Sequence, residues 1–124
     1  MRLSDGLALA VLLVLTVPRH SIARGSPMAA ECHLIRGRLA VWNGTPSVRI
    51  WPVGTRRELG VADAHGDTAG ERLFPAEVAA LIEPAPDRTV VFGDYRVCPL
   101  SPRRPGRMQM VYIAGASRLR AAPR

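Results

Sequence analysis

His33 to Trp51 reads HLIRGRLAVWNGTPSVRIW, two alternating runs joined at Asn43-Gly44. In the first run His33, Ile35, Gly37, Leu39 and Val41 share one parity, and Leu34, Arg36, Arg38, Ala40 and Trp42 share the other. Successive strand side chains point to opposite sides of a sheet, so the first set predicts a core face and the second an outer face. Asn-Gly between alternating runs is a strong hairpin signal, and Thr45 and Pro46 complete a slightly longer loop. The second run, Ser47 to Trp51, predicts a strand with Val48 and Ile50 inward and Arg49 and Trp51 outward.

Working outward from this hairpin, Pro52 ends the strand or marks an edge. Gly54-Thr55 turns the chain into a third strand, Arg56 to Val61, in which Leu59 and Val61 share a face. Residues 62–72 read as loop. A short helix follows, because Pro75 suits a first helical position, Glu77 lies near the positive end of the dipole, and Phe74, Val78, Leu81 and Ile82 form one stripe. Pro84 stops it. Val90 to Cys98 predicts a fourth strand, with Val91, Tyr95 and Val97 on one side and Phe92, Asp94, Arg96 and Cys98 on the other. Pro99 to Arg107 is a basic turn with Pro105-Gly106 at its tip. Met108 to Ala114 predicts a fifth strand, with Val111 and Ile113 inward. The expected fold is mainly β with one short helix, a five-stranded β-β-β-α-β-β small barrel of the OB-like kind. An open twisted antiparallel sheet packed on the helix is the competing architecture.

The first 23 residues predict a signal peptide. A basic start leads into an apolar run from Leu7 to Val17, Pro18 breaks it, and Ser21-Ile22-Ala23 offers a small-x-small cleavage site. The run is too short to span a bilayer, which takes about 20 residues in a helix. Glu31 ahead of Cys32 argues against lipid attachment, which needs a small residue there. The expected organisation is a signal peptide at 1–23, a lead-in at 24–31, a single β-rich domain at 32–116 and a basic mobile tail at 117–124. Cys32 and Cys98 are the chain's two cysteines. Both fall on the less apolar parity of their strands, so an exported chain is expected to join them as one disulfide.

All 17 basic residues are arginine, and they outnumber 10 acidic ones for a net charge of +7. Such charge suits nucleic acid, anionic lipid head groups or acidic glycans, although GC-rich coding also yields a lysine-free, arginine-rich chain. The lack of lysine excludes a Walker-type phosphate loop and Schiff-base chemistry. There is no Gly-x-Ser-x-Gly elbow, His-Glu-x-x-His helix or Cys-x-x-Cys pair. His33 falls on a core-facing position and reads as structural. Asp63-x-His65-x-Asp67 alternates potential donors, but Thr68 and Phe74 stand where a calcium loop needs Gly and Glu, so it reads as a solvated loop. Asp94 and Arg96, two apart on one strand, are expected to neutralise each other. No catalytic residue, metal site or cofactor is expected.

The candidate ligand-binding residues are Arg36, Arg38, Trp42, Arg49 and Trp51, which share the outer parity of the paired first and second strands. Guanidinium groups offer bidentate contacts to oxyanions, and indole rings offer stacking surfaces. The competing reading has the two tryptophans covering the sheet as a small second core, with the arginines lying over them.

Gly37-Arg38-Leu39, Asn43-Gly44-Thr45-Pro46-Ser47-x-Arg49-Ile50-Trp51-x-x-Gly54-Thr55-x-Arg57-x-Leu59-Gly60-Val61, Gly93-Asp94-Tyr95-x-Val97-Cys98-Pro99 and Pro105-Gly106-x-Met108-Gln109 resemble an uncharacterised family of small exported bacterial proteins. The resemblance implies export and a single domain, and no reaction, cofactor or ligand. In size and strand order the chain is also similar to periplasmic bacterial OB-fold proteins. The expected function is that of a periplasmic or secreted, non-catalytic binding or accessory module of the bacterial envelope. Its partner would be an envelope protein or an anionic glycan or lipid, with nucleic acid disfavoured by the compartment. The alternatives are a small hydrolase without a recognisable motif and a purely structural envelope protein.

Overall fold

A computed structural model describes residues 31–69 and 73–124. The signal peptide and the lead-in up to Ala30 lie outside the described residues. The elements are β1 (His33–Val41), β2 (Val48–Pro52), β3 (Leu59–Val61), α1 (Ala76–Ile82), β4 (Thr89–Pro99) and β5 (Gln109–Pro123). The strands form a mixed sheet closed in a ring in the order β1-β2-β3-β5-β4, with α1 between β3 and β4. β4 returns to pair with β1, and β3 pairs with β5 in parallel, so the open-sheet alternative is excluded.

The alternation in β1 survives folding. Ile35, Gly37, Leu39 and Val41 turn toward the interior, where Leu39, Val48, Ile50, Leu59, Val61, Val91, Tyr95, Val97 and Val111 make the core. Helix α1 spans only seven residues, too few to be stable by itself in water. It is held by Val78 and Ile82, both fully buried against the ring. Burying side chains of this size contributes about 1.5–3 kcal/mol each. Among the described residues, no helix is long and apolar enough to cross a membrane.

Gly37 and Gly93 face each other across β1 and β4, and the ring of Tyr95 lies over both. A Cβ at Gly37 would stand 3.3 Å from the Tyr95 ring and 2.6 Å from Ile50 Cγ2, and one at Gly93 would stand 3.4 Å from the same ring. Missing side chains at this pair therefore make the room that the phenol fills. Tyr95 is fully buried and its hydroxyl donates to the Val91 carbonyl at 2.7 Å.

Burial pushes the Tyr95 phenol up from its ordinary range, with Arg36 offsetting part of the shift. In the unfolded chain it ionises near pH 10, while the folded chain keeps its proton, so folding retains a proton that the unfolded state has lost. The stability from this group is thus full below about pH 10 and declines as pH rises above it, by up to about 1.4 kcal/mol per pH unit. Tyr95→Phe is expected to cost about 1 kcal/mol at neutral pH through the lost hydrogen bond. It should also flatten the alkaline decline, as read from urea unfolding curves on both sides of pH 10.

Three expectations need correction. The segment from Ser117 is not a tail: β5 continues to Pro123, which pairs with Thr89. Its polarity concealed it, and two register shifts against β4, between Phe92 and Asp94 and between Arg96 and Val97, break the alternation. At the first shift Arg118 adopts φ +49° as the extra residue. His33 has inward parity but is exposed, because it lies at the end of the ring beyond the packed layers, with Nδ1 3.1 Å from the Glu31 carbonyl oxygen. The third strand is short, and residues 53–58 form a turn instead.

The expected bridge is present. The β1–β4 register pairs His33 with Val97, so its continuation by one residue brings Cys32 opposite Cys98, where the two are disulfide-bonded with Cα atoms 4.1 Å apart. Such bonds persist in oxidising compartments.

Candidate functional site

The outer face of the ring carries one continuous row across four strands. Trp51 of β2 stands opposite Arg38 of β1, Arg38 opposite Phe92 of β4, and Phe92 opposite Arg120 of β5. Aromatic and guanidinium side chains alternate along it. The Arg38 guanidinium carbon lies 5.0 Å from the Trp51 ring centroid, and that of Arg120 lies 4.9 Å from the Phe92 centroid. Each stack is worth about 0.5–1 kcal/mol at an exposed site, and it leaves the edges of the guanidinium free to donate. Beside the row, Arg38, Trp51, Phe92 and the Pro52–Thr55 turn line a shallow recess of about 420 Å³. Thr55 closes that turn by donating its hydroxyl and its amide to the Pro52 carbonyl.

Of the five residues chosen from the sequence, Arg38, Trp42 and Trp51 come together. The two indoles meet edge to face with centroids 5.9 Å apart. Trp42, however, is covered: the Arg124 guanidinium stacks 3.6 Å from its centroid and donates to the Val41 carbonyl at 2.9 Å. Its indole N–H is buried with no hydrogen-bond acceptor among the described residues. Both rings are half-buried: Trp42 lies beneath Arg124 and borders a recess with Asn43 and Asp87, and Trp51 borders the recess beside Arg38.

The other two arginines are engaged elsewhere. Arg36 lies 3.3 Å from Asp94 Oδ1 and donates to the Arg118 carbonyl at 3.1 Å. Arg49 turns back onto the hairpin, donating to the Pro46 carbonyl at 2.9 Å and pairing with Glu58 at 3.1 Å. The expected Asp94–Arg96 pair does not form. Residues two apart on a strand are separated along it, while a cross-strand neighbour is nearer, so Asp94 binds Arg118 and Arg36. The Arg118 hydrogen bond chiefly holds the Asp94 carboxyl below its ordinary range; burial opposes it, and Arg36 adds to the lowering.

Phe92, Arg120 and Arg124 were missed. Phe92 already had the outer parity of β4, so continuing the Arg38 row across one more strand would have found it. Arg120 and Arg124 lie beyond Ser117, where the sequence predicts a tail. Asp63 is a loop-former: its Oδ1 accepts the amides of His65 at 2.8 Å and Asp67 at 3.0 Å. The bond from Asp67 is the main reason its carboxyl lies below the ordinary range. Comparison with protein-family models, curated proteins and solved structures returns no match.

Proposed function

We propose that the chain is an exported, non-catalytic binding module of the bacterial envelope that holds an anionic glycan on the Trp51–Arg38–Phe92–Arg120 row. The observation that carries this reading is the alternation of ring and guanidinium across four strands beside an open recess. Sugar faces stack on aromatic rings, and carboxylate or sulfate substituents match the arginine fork. A repeating acidic sugar would meet both in turn. The disulfide and the apolar run from Leu7 to Val17 support the compartment. The carboxylates of Asp94, Glu58 and Asp63 are engaged by arginines or backbone amides, which favours binding over acid–base chemistry.

A purely structural role is the second reading, favoured by Arg124 lying over Trp42. Titration with oligogalacturonate, followed by tryptophan fluorescence, separates the two. Binding is expected to perturb emission, with Trp51→Ala and Arg38→Gln each weakening it by roughly tenfold. If oligogalacturonate leaves the emission unchanged while Trp51→Ala lowers only the melting temperature, the structural reading replaces the binding one.

A further inference from the structure

A second cationic feature shares no lining residue with the recess beside the aromatic row. The turn at 53–58 and the β4–β5 loop enclose a cleft of about 700 Å³ lined by Arg56, Arg57, Arg103, Arg104 and Arg107. Glu58 is the one acid among the described lining residues, and it is already paired with Arg49 at 3.1 Å. Five arginines therefore line one concavity whose single acid is already engaged, and Glu31 is the acid that borders Arg57 and Arg103 in the adjoining recess. Burial, and next the neighbouring Arg103, lower the Arg57 pKa from its ordinary value. Gathering like charges in a concavity costs free energy that a bound anion would return.

The cleft is also built, not merely charged. Arg57 donates to Gln109 Oε1 at 2.8 Å, and Gln109 in turn donates to the Ser101 carbonyl at 3.1 Å. The Ser101 hydroxyl accepts the Met110 amide at 2.8 Å. This chain of bonds fixes Arg57 to the base of the β4–β5 loop, which reduces the ordering cost of binding. Arg57 and Arg103 also border the end of the ring beside His33 and Pro99.

We propose that this cleft is a binding site for a compact polyphosphate group, separate from the glycan face. Arginine forks bind phosphate oxygens bidentately, and several guanidiniums in one concavity match several linked phosphates better than a single monoanion. The two loops bound the cleft on both sides, which suits a short ligand over a long polymer.

Calorimetric titration of the disulfide-closed protein with sodium tripolyphosphate at physiological salt tests the site. One binding event is expected, weakened roughly tenfold by Arg103→Gln and roughly a hundredfold by Arg57→Gln with Arg103→Gln. Arg88→Gln with Arg96→Gln removes the same charge from exposed positions outside the cleft and should change affinity by less than about threefold. Orthophosphate should bind at least about tenfold more weakly than tripolyphosphate. Phosphatidylcholine vesicles carrying diacylglycerol pyrophosphate identify the source of the group. Capture of the protein, lost in the cleft variants, assigns a lipid head group, whereas tripolyphosphate binding without capture assigns a soluble ligand. The proposal is overturned if tripolyphosphate does not bind, if the cleft variants bind it unchanged, or if the exposed pair weakens it equally. A single-stranded oligonucleotide that displaces it at equal phosphate concentration would also overturn it.

Discussion

Replacing Cys32 and Cys98 together with serine is expected to lower the free energy of unfolding by about 4 kcal/mol. The bridge spans a sequence separation of 66, and in the chain-entropy account closing a loop of that length removes about 4 kcal/mol of freedom from the unfolded chain. Domains of this size have total stabilities of about 5–15 kcal/mol, so the loss is a large fraction of what holds the fold. The bond also ties the start of β1 to the end of β4. These strands carry Arg38 and Phe92, so their fraying would disturb the middle of the aromatic row. Urea unfolding of the oxidised protein, the reduced protein and the serine variant gives the test. The latter two should share one lowered midpoint, and coincidence of all three curves would show that the bridge adds nothing.

Gly37→Val is expected to cost about 3 kcal/mol, at the upper end of what overpacking a core produces. The new Cβ would stand 2.6 Å from Ile50 Cγ2 and 3.3 Å from the Tyr95 ring. Neither neighbour has an easy escape. Ile50 is branched at Cβ and fully buried, and the Tyr95 hydroxyl is anchored to Val91, so relief requires the β1–β2 backbone to part. Ile50→Ala alone should cost about 2–5 kcal/mol by leaving a cavity. Combined with Gly37→Val it should cost less than the two singles together, by about 1 kcal/mol or more, because the added methyls enter the space that Ile50 vacates. Strict additivity in a double-mutant cycle would show that the glycine seat is not what limits the position.

Sequence alone revealed the architecture where alternation was unbroken. In β1 and β2 the set Ile35, Gly37, Leu39, Val41, Val48 and Ile50 faces the interior as read, while His33 is exposed and Ala40 of the outer set is buried. On β5 the alternation ends early. Gly115, Ser117 and Arg118 interrupt the period, and the apolar partners that explain Arg120 and Arg124 are the rings of Phe92 on β4 and of Trp42 just past β1. A charged residue stacked on an aromatic looks, in sequence, the same as one in water. Parity also could not reveal charge pairing. Arg36 and Arg49 were placed on the right strands and the right face, yet Asp94 and Glu58 direct their guanidiniums away from the row. The polyphosphate cleft was the least legible feature, since Arg57 and Arg103 meet only because β3 and β5 run parallel at one end of the ring.

Among the described residues, β5 beyond Val111 has a strand partner on one side only. An unpaired border of this length is the kind of template on which a neighbouring molecule can add and start a fibril. Here the irregularity at Arg118, the arginines at 118 and 120, and Pro123 near the end make that border bent, charged and short of donors. The bulges that hid β5 from a sequence reader thus also make it a poor seed for aggregation, and crowded copies of the chain should remain apart.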